Sequence, residues 1–223
     1  MFKECRKLNY SFSSLLIFGT FLMYFTLYLN STSHALSLND EIARIQKTYE
    51  DITDMSGNFV QKSHLKDLKR TDTYKGQFFI KKPQKVKVIY KGEYPAEITV
   101  NKDIVLIYQK NENQVIKGKF DTSTYGQTPV ILLSGLGKME EEFNISEKNG
   151  LLLLKPKKSM GAIVSIELKL SENDFPIQSF TIYDTYSNRT EITLSNMKIN
   201  KNIDDKIFNF TPPKNATFLE HNP

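Results

Sequence analysis

Apolar and polar residues alternate with a period of two over most of the chain beyond residue 76, and this pattern constrains the fold more than any other feature. The segment KVKVIY at residues 85–90 sets valine and tyrosine on one side and lysine on the other. In AIVSIELKLS, Val164, Ile166 and Leu168 alternate with polar residues in the same way. Such alternation is typical of antiparallel strands with one buried and one solvated face. The pattern therefore predicts a mostly β fold.

Short turn signals separate the predicted strands. Gly92 and residues 101–103, 111–113 and 148–150 carry the glycine, asparagine or aspartate that favours turns. Loops this short connect sequential hairpins, and no crossover helix separates the strands to demand parallel pairing. We expect an antiparallel sheet of about ten or eleven strands in meander order.

One amphipathic helix precedes the strands. Ser37 or Asn39 can cap it, and Gly57 is expected to end it. Its apolar residues recur at the spacing of one helix face: Ile42, Ile45, Tyr49, Ile52 and Met55.

A second, short helix is predicted within residues 128–136. Thr128 is expected to cap it, and Pro129 suits the first helical position. Four consecutive apolar residues follow, Val130–Leu133, so this helix is apolar on more than one side. Such a helix has to pack against the sheet or close over it.

The N-terminal segment reads as an export signal. Residues 1–11 are basic, residues 12–29 are free of charge, and Ser33 and Ala35 fit a small-x-small cleavage site. We interpret residues 1–35 as a signal peptide and residues 36–223 as one domain. An uncleaved membrane anchor is the alternative, and both interpretations export the rest of the chain.

The chain offers little catalytic or metal-binding chemistry. Its single cysteine, Cys5, precedes the apolar run, and the sequence has only three histidines. A disulfide scaffold and a transition-metal site are therefore improbable, and the common nucleophile and phosphate-binding motifs do not occur. We expect neither an enzyme nor a bound cofactor or metal.

A basic cluster lies within residues 81–91, although the net charge of the whole chain is only +5. We interpret it as a solvated strand face that discourages edge-to-edge pairing. A nucleic-acid surface would need aromatic platforms among the lysines, and attraction to anionic headgroups is the remaining alternative. Its members are Lys81, Lys82, Lys85, Lys87 and Lys91.

The segment GQFFIKKP at residues 76–83 resembles the LolA family of periplasmic lipoprotein carriers. The similarity continues at GNFVQ (residues 57–61), at Thr128-Pro129, and at FNFTPPKNATF (residues 208–218). Together these motifs cover roughly residues 38–218, and their order and spacing carry the resemblance more than any single motif does.

The resemblance implies an incomplete antiparallel β-barrel around an apolar cavity, with the two helices as a lid. It also implies a function in the periplasm of Gram-negative bacteria. A monomer would accept acylated lipoproteins from the LolCDE transporter and carry them to the outer-membrane receptor LolB. The candidate lining residues are Phe78, Ile80, Val88, Tyr90, Ile98, Val100, Ile166, Leu168, Phe180, Ile182, Ile192 and Leu194. The candidate lid residues are Ile45, Tyr49, Ile52, Ile131, Leu132 and Leu133.

One position departs from the family pattern. Where the family typically has an arginine that holds the lid by hydrogen bonds to the short helix, this chain has Lys82. Lysine lacks the planar fork of five donors, so the exchange is not neutral. The resemblance implies that Lys82 is a latch and that its replacement by leucine traps cargo.

Other functions remain open at this point. An RseB-like sensor of lipoproteins that regulates an anti-sigma factor is the main alternative, although such sensors usually carry a further domain. LolB itself is disfavoured because no cysteine follows the apolar run, and an exported lipid hydrolase is disfavoured by the absence of catalytic motifs. The apolar residues could also fill a solid core instead of lining a cavity.

Overall fold

The structure, a computed structural model, describes residues 37–121 and 128–221. The predicted signal peptide, residues 1–35, lies outside the described residues. The first half of the sheet contains β1 (Asp54–Leu65), β2 (Arg70–Lys81), β3 (Lys85–Lys91), β4 (Ala96–Asn101), β5 (Ile104–Gln109) and β6 (Gln114–Lys119). The second half contains β7 (Phe143–Lys148), β8 (Leu151–Pro156), β9 (Ile163–Leu170), β10 (Ile177–Asp184) and β11 (Arg189–Ile199), and β12 (Thr217–His221) follows.

All twelve strands belong to one open sheet, in the order β12-β6-β5-β4-β3-β2-β1-β11-β10-β9-β8-β7. Strands β1 to β6 form one meander and β7 to β11 another, and pairing of β1 with β11 joins the two. The predicted mostly β, antiparallel fold is confirmed. The alternation pattern did not reveal β1 or β12, and β12 pairs with β6 in parallel.

The N-terminal helix, α1 (Leu38–Asp51), is shorter than predicted. Ser37 caps it in a capping box with Asp40, which satisfies free N–H groups at the helix start. The prediction that the helix runs to Gly57 is wrong, because Asp54 already begins β1. Met55 therefore pairs with Ile80 of the neighbouring strand instead of extending the apolar face of the helix.

The connection between β6 and β7 contains the predicted apolar helix. It is a 3-10 helix, Pro129–Ser134, and we call it the apolar helix. Pro129 is near its start as expected, but the Thr128 side chain makes no capping hydrogen bond, so that detail was wrong. A second 3-10 turn (Leu136–Lys138) and a short helix, α2 (Met139–Glu142), lead into β7. None of the helices in the described part of the chain is both long and apolar enough to cross a membrane.

The main core lies on one face of the sheet, which we call the inner face. Phe59, Phe78, Val88 and Phe180 are buried there, and α1 and the apolar helix belong to the same cluster. Val164 was expected on this face but is half exposed. The register of β9 against β10 shifts near Ile163, so Ile163 turns inward in place of its neighbour.

The segment after β11 runs from the interior of the sheet to one of its edges. Its 3-10 helix, Asp205–Phe208, contacts β3 and β4. Phe208, Ile203 and Val115 are buried but lie outside the inner-face cluster. The segment then continues to β12, which forms an edge of the sheet beside β6.

Candidate functional site

The structure brings together all of the predicted lining and lid residues. Each of the twelve lining residues is buried, as are the six lid residues, and all belong to a single hydrophobic cluster. Strand alternation explains the grouping, since every second residue of each strand faces the same side. The roles of these residues in binding stay predictions, because here the side chains of the helices and the sheet pack against each other.

The cover over the inner face consists of α1 and the apolar helix. Ile131 and Leu133 of the apolar helix are fully buried, and this helix contacts β3 and β11. Within the described residues, neither covering element pairs with a strand through a backbone ladder. Side-chain packing and a few polar contacts therefore hold the cover in place.

A cleft of about 540 Å³ opens at the rim, where the end of α1, the end of the apolar helix and the β2–β3 turn meet. Its volume is within the range of about 300–1,000 Å³ that is typical of ligand sites. Its lining combines apolar and charged residues: Tyr49, Glu50, Ile80, Lys81, Lys82, Pro83, Gln84, Lys85, Val86, Phe120, Ser134, Gly135, Lys138 and Glu142. Three residues of the apolar cluster line the cleft, Tyr49, Ile80 and Val86, so the cleft borders the apolar interior.

Lys82 connects this rim to α1. Its ammonium group donates hydrogen bonds to the backbone carbonyl oxygens of Tyr49 and Glu50, the latter at 3.3 Å. The last turn of α1 has no basic residue of its own, and a cation there stabilises the free carbonyl end of a helix. Within the described residues these bonds go to α1, whereas the resemblance implied bonds to the apolar helix.

The other lysines of the basic cluster are largely paired. Lys81 and Lys85 lie 2.8 and 2.9 Å from the two carboxylate oxygens of Asp205. These hydrogen bonds, from Lys81 first and then Lys85, lower the pKa of the Asp205 carboxyl group. Lys87 contacts Glu97 at 2.7 Å and is mostly buried, so the interpretation of the whole cluster as a solvated face was wrong.

One polar group of the inner face was not predicted from the sequence. Gln61 is buried, and its side chain accepts a hydrogen bond of 3.3 Å from the Tyr90 hydroxyl. Its amide also donates to Ser63 at 3.1 Å. Burial raises the pKa of Tyr90, so this hydroxyl stays protonated. Gln61 lies two residues after Phe59 in β1, and recognising β1 as a strand would have placed both on one face.

No group of three side chains that could hold a metal lies together within residues 37–121 and 128–221.

A family model and the curated sequence relatives give the same family. A sequence model of the family described as outer membrane lipoprotein carrier protein LolA matches residues 50–211. An outer-membrane lipoprotein carrier protein of Alkalilimnicola ehrlichii is 27% identical over 180 residues, which are 80% of this chain and 83% of the relative. A protein of the same name from Ralstonia nicotianae is 25% identical over 191 residues, covering 80% and 86% of the two chains.

A solved structure shares the fold at low sequence identity. An uncharacterized conserved protein from Thermus thermophilus superposes with a TM-score of 0.51 at 10% identity, covering 83% of this chain and all of that one.

Proposed function

Because the chain belongs to the LolA family of outer membrane lipoprotein carrier proteins, we propose that it is a periplasmic carrier that shelters the acyl chains of lipoproteins. In this proposal it accepts them from the LolCDE transporter and delivers them to a LolB-like receptor. It does so as a monomer and without catalysing a reaction. The predicted signal peptide would provide export.

The physical need for such a carrier follows from the cost of exposing acyl chains to water. Each methylene group contributes about 0.8 kcal/mol to burial, so a chain of roughly a dozen methylenes costs about 10 kcal/mol when exposed. A lipoprotein therefore cannot cross an aqueous compartment freely. A carrier has to offer an apolar surface that opens for cargo and closes when empty.

The observation that carries the proposal is the single apolar cluster shared by the inner face and its two covering helices. The surfaces that would meet an acyl chain are already mostly apolar, including Phe78 and Phe180 of the sheet and Ile131 of the apolar helix. The cover has no strand ladder to the sheet among the described residues. Moving it aside would thus leave the sheet intact.

We interpret the packed arrangement as the closed, empty state. Loading requires that α1 and the apolar helix move away from the inner face, so that acyl chains replace their side chains. The cleft at the rim, beside Lys82, is where that separation would begin. The cargo would then bury the apolar surface of the sheet that the lid residues bury in the closed state.

The proposal is tested by placing a fluorescent reporter in the interior. The sequence has no tryptophan, so each variant reports from a single position. Phe180→Trp sets the reporter on the inner face, and Val164→Trp, at a half-exposed position of β9, is the matched control. A dipalmitoylated lipopeptide with brominated acyl chains should quench the first variant and leave the second unchanged.

Equal quenching of the two variants, or none in either, would contradict binding in the interior. Melting curves of both variants check that Phe180→Trp still folds, since a larger side chain in a packed core costs roughly 1–3 kcal/mol. Mass spectrometry of the exported protein then identifies the acylated proteins that copurify with it.

A further inference from the structure

The hydroxyl group of Tyr49 is buried and has no hydrogen-bond partner among the described residues. A buried hydroxyl without a partner costs stability, and most buried polar side-chain atoms in proteins are paired. Phenylalanine would fill the same space without that cost. The presence of tyrosine is explained if its partner arrives with a ligand.

Tyr49 occupies the boundary between the apolar interior and the rim. Its ring packs at a tilt against Phe175, with 5.9 Å between ring centroids, and its residue lines the rim cleft together with Ile80 and Val86. Its backbone carbonyl oxygen accepts the hydrogen bond from Lys82. The residue therefore belongs both to the cover and to the opening.

The hydroxyl of Tyr49 is suited to act as a donor. Burial raises its pKa, so the group keeps its proton throughout the pH range in which proteins are folded. Because the hydroxyl is buried, an oxygen acceptor on a ligand would meet little competition from water there. The ligand group that fits is an acceptor attached directly to an apolar chain.

We propose that Tyr49 is a specificity-determining residue that donates a hydrogen bond to an ester carbonyl oxygen of the bound acyl group. This inference rests on the proposed carrier function. It adds that the protein recognises the ester linkage of the cargo as well as its acyl chain. An acyl ester has its carbonyl oxygen where the apolar chain meets the polar head. While the chain occupies the inner face, that oxygen would lie near the rim. Tyr49 lies at the same place, between the interior and the rim.

The test compares two lipopeptides that share one peptide and one chain length. One carries dipalmitoyl-S-glycerylcysteine, with ester linkages, and the other carries dihexadecyl-S-glycerylcysteine, with ether linkages. We expect the wild-type chain to bind the ester about three- to tenfold more tightly, the range of one neutral hydrogen bond. In Tyr49→Phe this preference should disappear, because only the ester loses affinity.

Thr99→Val is the matched control. Thr99 also has a buried hydroxyl without a partner among the described residues, but it alternates with the inward-facing Ile98 and Val100 and so faces the other side of the sheet. This variant should keep the preference for the ester. An acyl ester could come from a lipoprotein or from a membrane phospholipid, and phosphatidylglycerol with ester-linked or ether-linked chains tests the second source. A preference for the ester-linked phospholipid as well would support recognition of the ester linkage itself.

The outcomes separate the inference from the function on which it rests. If the wild-type chain binds neither lipopeptide, the carrier function is wrong and the inference falls with it. If it binds both equally, or if Tyr49→Phe keeps the preference, only the role of Tyr49 is overturned. A melting temperature of Tyr49→Phe well below that of the wild-type chain would reveal a structural partner for the hydroxyl and would also overturn it.

Discussion

Lys82 is the residue whose replacement most directly tests the lid. Its hydrogen bonds to the last turn of α1 link the cover to the β2–β3 turn, and they exist only while α1 lies on the sheet. A hydrogen bond from a charged donor is worth about 1.5–3 kcal/mol. We therefore expect Lys82 to favour the closed state over any state in which α1 has moved away.

We expect Lys82→Leu to retain cargo and to pass lipopeptide to an acceptor about tenfold more slowly, since it loses the bonds that favour closure. The measurement is the rate of transfer from the loaded chain to lipid vesicles or to a purified receptor. Lys85→Leu is the control, because Lys85 at the same rim binds Asp205 instead of α1. If Lys82→Leu transfers lipopeptide at the wild-type rate, Lys82 does not act as a latch.

Two glycines lie where a side chain would collide with a neighbouring strand. The sequence motifs include Gly57 and Gly76, but only the structure shows why side chains are excluded there. A Cβ atom at Gly76 would lie 2.3 Å from the backbone oxygen of Ile89 and 2.6 Å from the ring of Phe59. At Gly57 it would lie 2.6 Å from the sulfur of Met197. Both collisions involve neighbours across the sheet, which strand alternation alone does not identify.

At the scale of elements, the 3-10 helix Asp205–Phe208 is tied to the β2–β3 turn by charge. Asp205 binds Lys81 and Lys85, and Lys81 also donates to the backbone oxygen of Ile203 at 2.7 Å. These contacts fix the segment that leads to β12. They also pair two of the lysines that line the rim cleft with Asp205, whereas Lys82 binds α1.

The contribution of this tie depends on pH. The folded protein lowers the pKa of Asp205 below its ordinary value of 3.8, so its stabilisation is present above that value and is lost as the pH falls through the folded pKa. We expect Asp205→Asn to melt below the wild-type chain at pH 6 and the difference to shrink as the pH falls below 3.8. Glu172→Gln, at an exposed loop position, should show no such change. A difference between Asp205→Asn and wild type that is independent of pH would contradict the ion-pair explanation.

Element boundaries were the least predictable part of the sequence. The spacing of Ile45 and Tyr49 on α1, and of Ile52 directly after it, continues by coincidence to Met55, which belongs to β1. Val164 alternates with its neighbours in sequence, yet the irregular pairing of β9 turns it outward. Local periodicity carries no information about a partner strand, and in both places the pairing partner determines the orientation.

For the whole molecule, the sheet and the grouping of the candidate site were predictable because both follow from strand alternation. Ten of the twelve strands were recognisable, and their inward residues form one cluster. Whether that cluster is a solid core or the closed form of a binding site depends on how firmly α1 and the apolar helix are held. That is a free-energy difference between two packings, which residue patterns do not encode.

The order of the sheet was not predictable, because it depends on two long connections. Residues 120–142 separate β6 from β7, which lie in different halves of the sheet, and residues 200–216 bring β12 beside β6. The pairing of β12 is the only parallel ladder among the described strands. It covers backbone N–H and C=O groups of β6 that would otherwise form an open edge.

We therefore expect β12 to limit self-association through this edge of the sheet. Truncation after Ala216 removes β12, so we expect the open edge of β6 to pair with other copies and the chain to self-associate as its concentration rises. Light scattering after size-exclusion chromatography measures this. The control is the double variant Phe218→Ser and Leu219→Ser, which removes apolar side chains that are about half exposed but keeps the backbone ladder, and it should not self-associate. If the truncated chain also stays monomeric at high concentration, β12 does not protect this edge and has to be explained by its contacts with the segment that precedes it.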